Sequence, residues 1–172
     1  MRWTAALADE KVVRRFEALV RSVRGHDWWT GAIVRSGHGR FWIGRTNDGR
    51  GDVVAAHRFA FALGHGLEAL MGAEAVMHLC DEPLCQRSDH LAAGTRAENC
   101  RAWMARRHDI GSPHRDCRGR LARSRMIRDA VRDGGDVTAV IDAGVSWRDL
   151  ERPPLLGLEV VSTLAGVPAA PD

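Results

Sequence analysis

Between Val76 and Asn99 the chain reads V-M-H-L-C-D-E-P-L-C-Q-R-S-D-H-L-A-A-G-T-R-A-E-N, with His78, His90 and Asn99 as its chemically capable residues. An imidazole beside a turn can take a proton from water near neutral pH, and a second polar side chain can hold that turn. An amide oxygen at the start of a helix can ligate a hard divalent cation such as Mg²⁺ or Mn²⁺. In this order the residues point to metal-assisted hydrolysis.

Such chemistry needs rigid elements around it. Ala75 to His78 reads as a strand, Asp81-Glu82-Pro83 as a turn, and a second short strand lies near Leu91. Thr95-Arg96-Ala97-Glu98 fits a capping box opening a helix to about Arg107, which sets Asn99 near the helix start, facing back toward the preceding strand. Upstream, Leu7, Val12, Val13, Phe16, Leu19, Val20 and Val23 recur at helical spacing and predict one amphipathic helix over Thr4 to Arg24. Trp28–Ala32 and Arg40–Ile43 read as strands joined by the glycine-rich turn Ser36-Gly37-His38-Gly39, with a second turn at residues 47–51 leading to Val53–Ala56. His57–His65 reads as a short helix. The expected class is α+β, a small antiparallel sheet with helices before and after it.

Residues 1–110 then form one domain, 111–119 a linker and 120–172 a helical extension, with helices at Leu121–Arg132 and Val137–Ala143 and a break at Pro153-Pro154. A length of 172 residues fits one ordinary domain with a small appendage. The N-terminal stretch is charged through its middle and no apolar run approaches the roughly 18 residues of a membrane span, so a cytoplasmic protein with no membrane partner is expected. Net charge is only +3, yet Arg96–Arg128 holds ten Arg against three acids and Asp129–Asp172 holds three Arg against eight. The first block is a candidate phosphate-contacting surface. Lys11 is the one lysine; Arg grips phosphate with a planar fork, though a compositional bias in the coding genome explains the preference equally well. Four cysteines, at 80, 85, 100 and 117, are too few and too irregular for a disulfide scaffold and point to metal binding or inert thiols.

The stretches Trp29-Thr30-Gly31-Ala32, Gly37-His38-Gly39-Arg40-Phe41, Ala56-His57-Arg58-Phe59-Ala60, His78 to Cys85, Asp89-His90-Leu91 and Gly94 to Asn99 resemble, in order, the HNH endonucleases of the His-Me finger (ββα-metal) superfamily, in their homing-endonuclease-like branch. The resemblance covers roughly Arg14 to Arg107 and implies a metal-dependent DNA endonuclease. It implies His78 as general base, His90 as the middle residue of the motif and Asn99 as the metal ligand. Two positions depart from the pattern. Met77 stands where many members carry an Asp ligand, and Arg87 where Asn is frequent.

The resemblance also bears on the cysteines. Related chains often carry a further Cys before the W-T-G element, where this one has His26, so His26, Cys80, Cys85 and His90 are a candidate structural Zn²⁺ site clamping the turn. The alternative is that the thiols are reduced packing residues, with Cys100 and Cys117 as reserve ligands. Arg58, Arg87, Arg96, Arg101, Arg106 and Arg107 flank the motif as candidate DNA-phosphate contacts, against a solvated helix face, and His57 as a residue orienting a neighbouring backbone group. Trp28, Trp29 and Trp42 are expected in the core. Residues 143–150 faintly resemble the turn of a helix-turn-helix, but the acidic balance of the tail favours packing or a homodimer contact. The rival expectation to a nuclease is a non-catalytic nucleic-acid-binding or structural zinc module of the same fold.

Overall fold

The computed structural model describes residues 2–45, 49–109 and 111–145. In chain order these form α1 (Arg2–Ala8), α2 (Glu10–Glu17), β1 (Val20–Val23), β2 (His26–Trp29), β3 (Arg40–Arg45), β4 (Gly51–Ala55), α3 (Ala56–His65), α4 (Leu67–Gly72), β5 (Ala75–His78), β6 (Leu91–Gly94), α5 (Arg96–Arg106), α6 (Arg120–Asp133) and α7 (Val137–Asp142). The architecture is α+β, and its strands pair as three antiparallel hairpins, β1–β2, β3–β4 and β5–β6.

The first 24 residues depart from the single helix expected of them. Asp9 has an extended backbone and accepts a hydrogen bond from the Lys11 N–H, ending α1 and capping α2. The helix stops at Glu17, and Val20 and Val23 belong to β1, which pairs with β2 with Val20 opposite Trp29 and Val23 opposite His26. Arg24 and Gly25, both at positive φ (53° and 74°), reverse the chain in two residues as a primed hairpin turn requires. The expected pairing of Trp28–Ala32 with Arg40–Ile43 is therefore replaced: β2 pairs with β1, β3 with β4, and the glycine-rich turn keeps only an isolated bridge between Ile33 and Gly39.

Phe16, Trp29, Phe41 and Phe59 form the centre of the core, each at most 4% exposed, with ring centroids of the contacting pairs 4.9–5.8 Å apart. Trp29 explains two of the glycine motifs. A Cβ on Gly31 would come within 2.6 Å of its ring and one on Gly39 within 2.5 Å, so the indole fits only between two residues without side chains. Trp28 is buried as well, but Trp42 is not: it faces solvent on β3 with the Arg15 guanidinium 4.8 Å from its ring, a cation–π contact in place of core packing.

Ile127 of α6 and Val137 of α7 join the same core cluster. Segment 111–119 contains a 3-10 turn at Pro113–Arg115, and Asp116 just after it accepts hydrogen bonds from Arg118 and Arg123. The Ser146–Leu150 and Pro153-Pro154 readings lie outside the described residues. No helix among the described residues is long and apolar enough to cross a membrane.

Candidate functional site

β5, β6 and α5 follow one another as a hairpin and a helix, and the loop from Leu79 to His90 carries most of the ionisable groups around them. His78 closes β5 opposite Leu91. Its Nε2 lies 3.0 Å from the Cys85 carbonyl oxygen. A carbonyl can only accept, so Nε2 carries the hydrogen and the neutral ring keeps its lone pair on Nδ1. Burial lowers the His78 pKa below the ordinary histidine range, against the opposing pull of that hydrogen bond.

Two further histidines surround it. The His57 ring on α3 lies 4.8 Å from that of His78, and the His38 ring 5.6 Å. Burial pushes His57 well below its usual value and His38 down to about 4. His38 is steadied by Ser36, whose hydroxyl is 3.0 Å from Nδ1. The sequence predicts that His57 orients a backbone group; its Nδ1 has no hydrogen-bond partner, and its ring packs against the other two.

Asn99 is positioned by the expected capping box. The Thr95 hydroxyl accepts from the Glu98 N–H at 3.1 Å and the Glu98 carboxylate accepts from the Thr95 N–H at 2.7 Å. Asn99 and His78 line one pocket of about 330 Å³, together with His114, Arg120 and Arg123. The one carboxylate in its wall, Asp81, is engaged: Arg106 donates to it from Nε at 2.7 Å and from its terminal nitrogen at 2.8 Å, and His114 Nε2 is 3.4 Å away. Burial would raise the Asp81 carboxyl, but the Arg106 pairing outweighs it and holds the carboxyl below its usual range. Met77 lines no part of this pocket and packs its methyl group over Gly94, 2.6 Å from where a Cβ would stand.

A second constellation sits beneath the loop. His26 on β2, Cys80 after β5, Cys85 and His90 bring one ligand atom each within 4.8 Å of one another. Backbone pairing explains the convergence. Trp29 N–H donates to the Leu84 carbonyl and Gln86 N–H to that of Asp27, so Cys85 lies bridged to the edge of β2, while Leu79 N–H donates to the His90 carbonyl. A tetrahedral zinc site spaces its ligand atoms about 3.3–3.8 Å apart, so a small contraction suffices. The neighbouring Cys80 thiol holds Cys85 toward the thiolate, which burial opposes and His26 assists, and the Cys85 Sγ lies 3.6 Å from His90 Nδ1. The same pairing of thiols raises Cys80, and Cys85 raises His26. Such a set of two thiols and two imidazoles can hold a metal ion. Neither reserve cysteine joins it: Cys100 lines the pocket beside Asn99 and Cys117 is exposed.

The six arginines proposed for DNA fall into two groups. Arg87 pairs with Asp89 at 2.6 Å, Arg106 with Asp81, and the Arg107 guanidinium lies 4.6 Å from the Trp103 ring. Arg58 on α3 and Arg96 and Arg101 on α5 show no ion pair among the described residues. The pocket also contains groups that the sequence reading left out, namely His38, Asp81, His114 and Arg120. His38 lies within the G-H-G-R-F stretch, whose glycines signal a turn and not a site; the others carry no local signal.

Comparison with known proteins gives two similar chains, both from Escherichia phage T7. "Protein 7.7" is 27% identical over 122 residues, covering 71% of this chain and 78% of that protein. "Protein 2.8" is 37% identical over 71 residues, covering 41% of this chain and 43% of that protein. Neither name states an activity. No family model and no solved structure matches the chain.

Proposed function

We propose that the protein is a metal-dependent endonuclease of the HNH, His-Me finger type that hydrolyses phosphodiester bonds in DNA. The reading rests above all on one observation: an imidazole with a free Nδ1 lone pair and a helix-borne amide line a single pocket on a β-hairpin followed by a helix. In this reading His78 Nδ1 removes a proton from the attacking water, the Cys85 carbonyl keeps the ring in the required tautomer, and Asn99 Oδ1 is the protein's ligand to Mg²⁺ or Mn²⁺. A divalent cation held there supplies charge stabilisation for the phosphate and the leaving 3′-oxygen. The donor set fits weakly, one amide with no unpaired carboxylate, so water and substrate phosphate would complete the shell. Arg58, Arg96 and Arg101 would face DNA phosphates. The products are 5′-phosphates and 3′-hydroxyls by analogy with the family, and kinship with T7 proteins favours a phage-infected host cell as the setting.

The cluster of His26, Cys80, Cys85 and His90 is read as a structural Zn²⁺ site that fixes the loop beneath His78. One observation favours a second reading, a non-catalytic DNA-binding or structural zinc module: the pocket's carboxylate is already paired with Arg106, and Met77 offers no replacement. Incubating supercoiled plasmid with the protein and Mg²⁺, Mn²⁺ or chelator separates the two. Metal-dependent nicking that is absent in His78→Ala supports the enzyme, whereas DNA binding without nicking in either metal supports the module.

A further inference from the structure

Three arginines line the pocket that holds His78 and Asn99, and they are not equivalent. Arg106 is held by Asp81 through two hydrogen bonds. Arg123 is buried and held by Glu82 and Asp116. Arg120 is exposed and, among the described residues, its guanidinium has no hydrogen bond or ion pair. Its stem is nonetheless placed: Cγ lies 3.0 Å from where a Cβ on Gly37 would stand, and Gly37, at φ +87°, leads directly into His38 at the pocket wall. The guanidinium is thus an uncompensated cation fixed at its base beside the proposed base and metal ligand.

Arg120 opens α6, in the segment read from sequence as an appendage. Arg123, itself held by Asp116, ties that segment to Glu82 in the loop after β5. We infer that α6 is one wall of the substrate site and that Arg120 binds a phosphate of the nucleic-acid strand lying across His78 and Asn99. The inference rests on the nuclease reading for the identity of the strand. An arginine with no internal partner keeps its planar fork free for two phosphate oxygens, which lysine cannot match.

The test uses the full-length chain with Arg120→Ala and Arg120→Lys, circular dichroism and thermal midpoints confirming the fold. Binding of a fluorescent DNA duplex is measured over a salt series in the His78→Ala background, and plasmid nicking in the His78 background. Arg120→Ala should weaken binding about tenfold and lower the slope of log affinity against log salt by about one, with Arg120→Lys intermediate. Cleavage should lose at least as much in kcat/KM, carried mainly by KM. Equal affinity and equal slope in His78→Ala and its Arg120→Ala double variant would overturn the phosphate anchor even if the parent nicks DNA. Absence of nicking in both metals, with the Arg120 binding difference intact, would overturn the nuclease reading and leave the anchor standing. No DNA binding by the parent would overturn both.

Discussion

At the scale of single residues the decisive asymmetry is between His78 and its neighbours. Three imidazoles contact one another, and His38 and His78 both line the pocket that Asn99 lines, but only His78 has its tautomer fixed there by a backbone carbonyl. His78→Ala should therefore lower the plasmid-nicking rate on the order of 10²-fold or more while leaving duplex affinity close to that of the parent. Near-parental cleavage by a variant that still binds DNA would remove His78 from its role. Asn99→Ala should raise the Mg²⁺ or Mn²⁺ concentration for half-maximal nicking and recover in part at high metal. Met77 stands at the position where related chains carry an Asp ligand. Its methyl group packs over Gly94 and it lines no part of the pocket that Asn99 lines, so an Asp there would not reach an ion held by Asn99. Met77→Asp should leave the metal requirement unchanged, and a clear fall in that requirement would mean that the side chain at 77 reaches the ion.

Among the elements, the hairpin β5–β6 with α5 was legible because each piece has a local signature: V-M-H between turn residues, a Pro in the loop, and the Thr95–Glu98 box before an apolar-poor helix. The β1–β2 hairpin was not. Leu19, Val20 and Val23 satisfy helical spacing, and Val20–Val23 also suits a short strand, so periodicity alone cannot choose. Asp9 only divides α1 from α2; the choice between helix and strand is made by Arg24-Gly25, a turn whose chemistry a helical reading passes over. That hairpin matters because β2 delivers His26 to the cysteines and holds Cys85 through the Trp28 bridge. If the four residues hold zinc, purified protein should contain about one zinc per chain by elemental analysis. Cys80→Ser and Cys85→Ser should each lose the metal and at least about 5 °C of thermal midpoint, since metal binding is linked to folding, while Cys117→Ser should retain both. Active protein without zinc would reduce the cluster to packed thiols.

Over the whole molecule, the basic block from Arg96 to Arg128 has a double use that counting charges does not reveal. Some of its arginines stay in solvent, while Arg106, Arg118 and Arg123 engage carboxylates and hold α5 and α6 around the pocket. Asp116 is the hub of the larger set, with its side chain only 1% exposed and Arg118 at 2.6 Å and Arg123 at 3.1 Å. Burial would raise its carboxyl, but the hydrogen bonds from Arg118 and Arg123 outweigh that and hold it below the usual carboxylate range. A carboxyl with a lowered folded-state pKa contributes stability that is present above the unfolded value, about 3.9, and is lost as pH falls through the lower folded value. Replacing Asp116 leaves two buried or half-buried guanidinium groups short of a partner, which costs about 3 kcal/mol or more at neutral pH. Asp116→Asn should accordingly unfold at lower urea than the parent at pH 6.5, and the gap between the two midpoints should narrow as the pH is lowered below about 4, where the parent's own carboxyl becomes protonated. Because Arg123 also holds Glu82 in the loop after β5, the variant should lose plasmid nicking along with stability at temperatures near its midpoint, and regain it on cooling. A gap that stays constant from pH 6.5 to pH 3 would show that Asp116 contributes through packing and not through its charge.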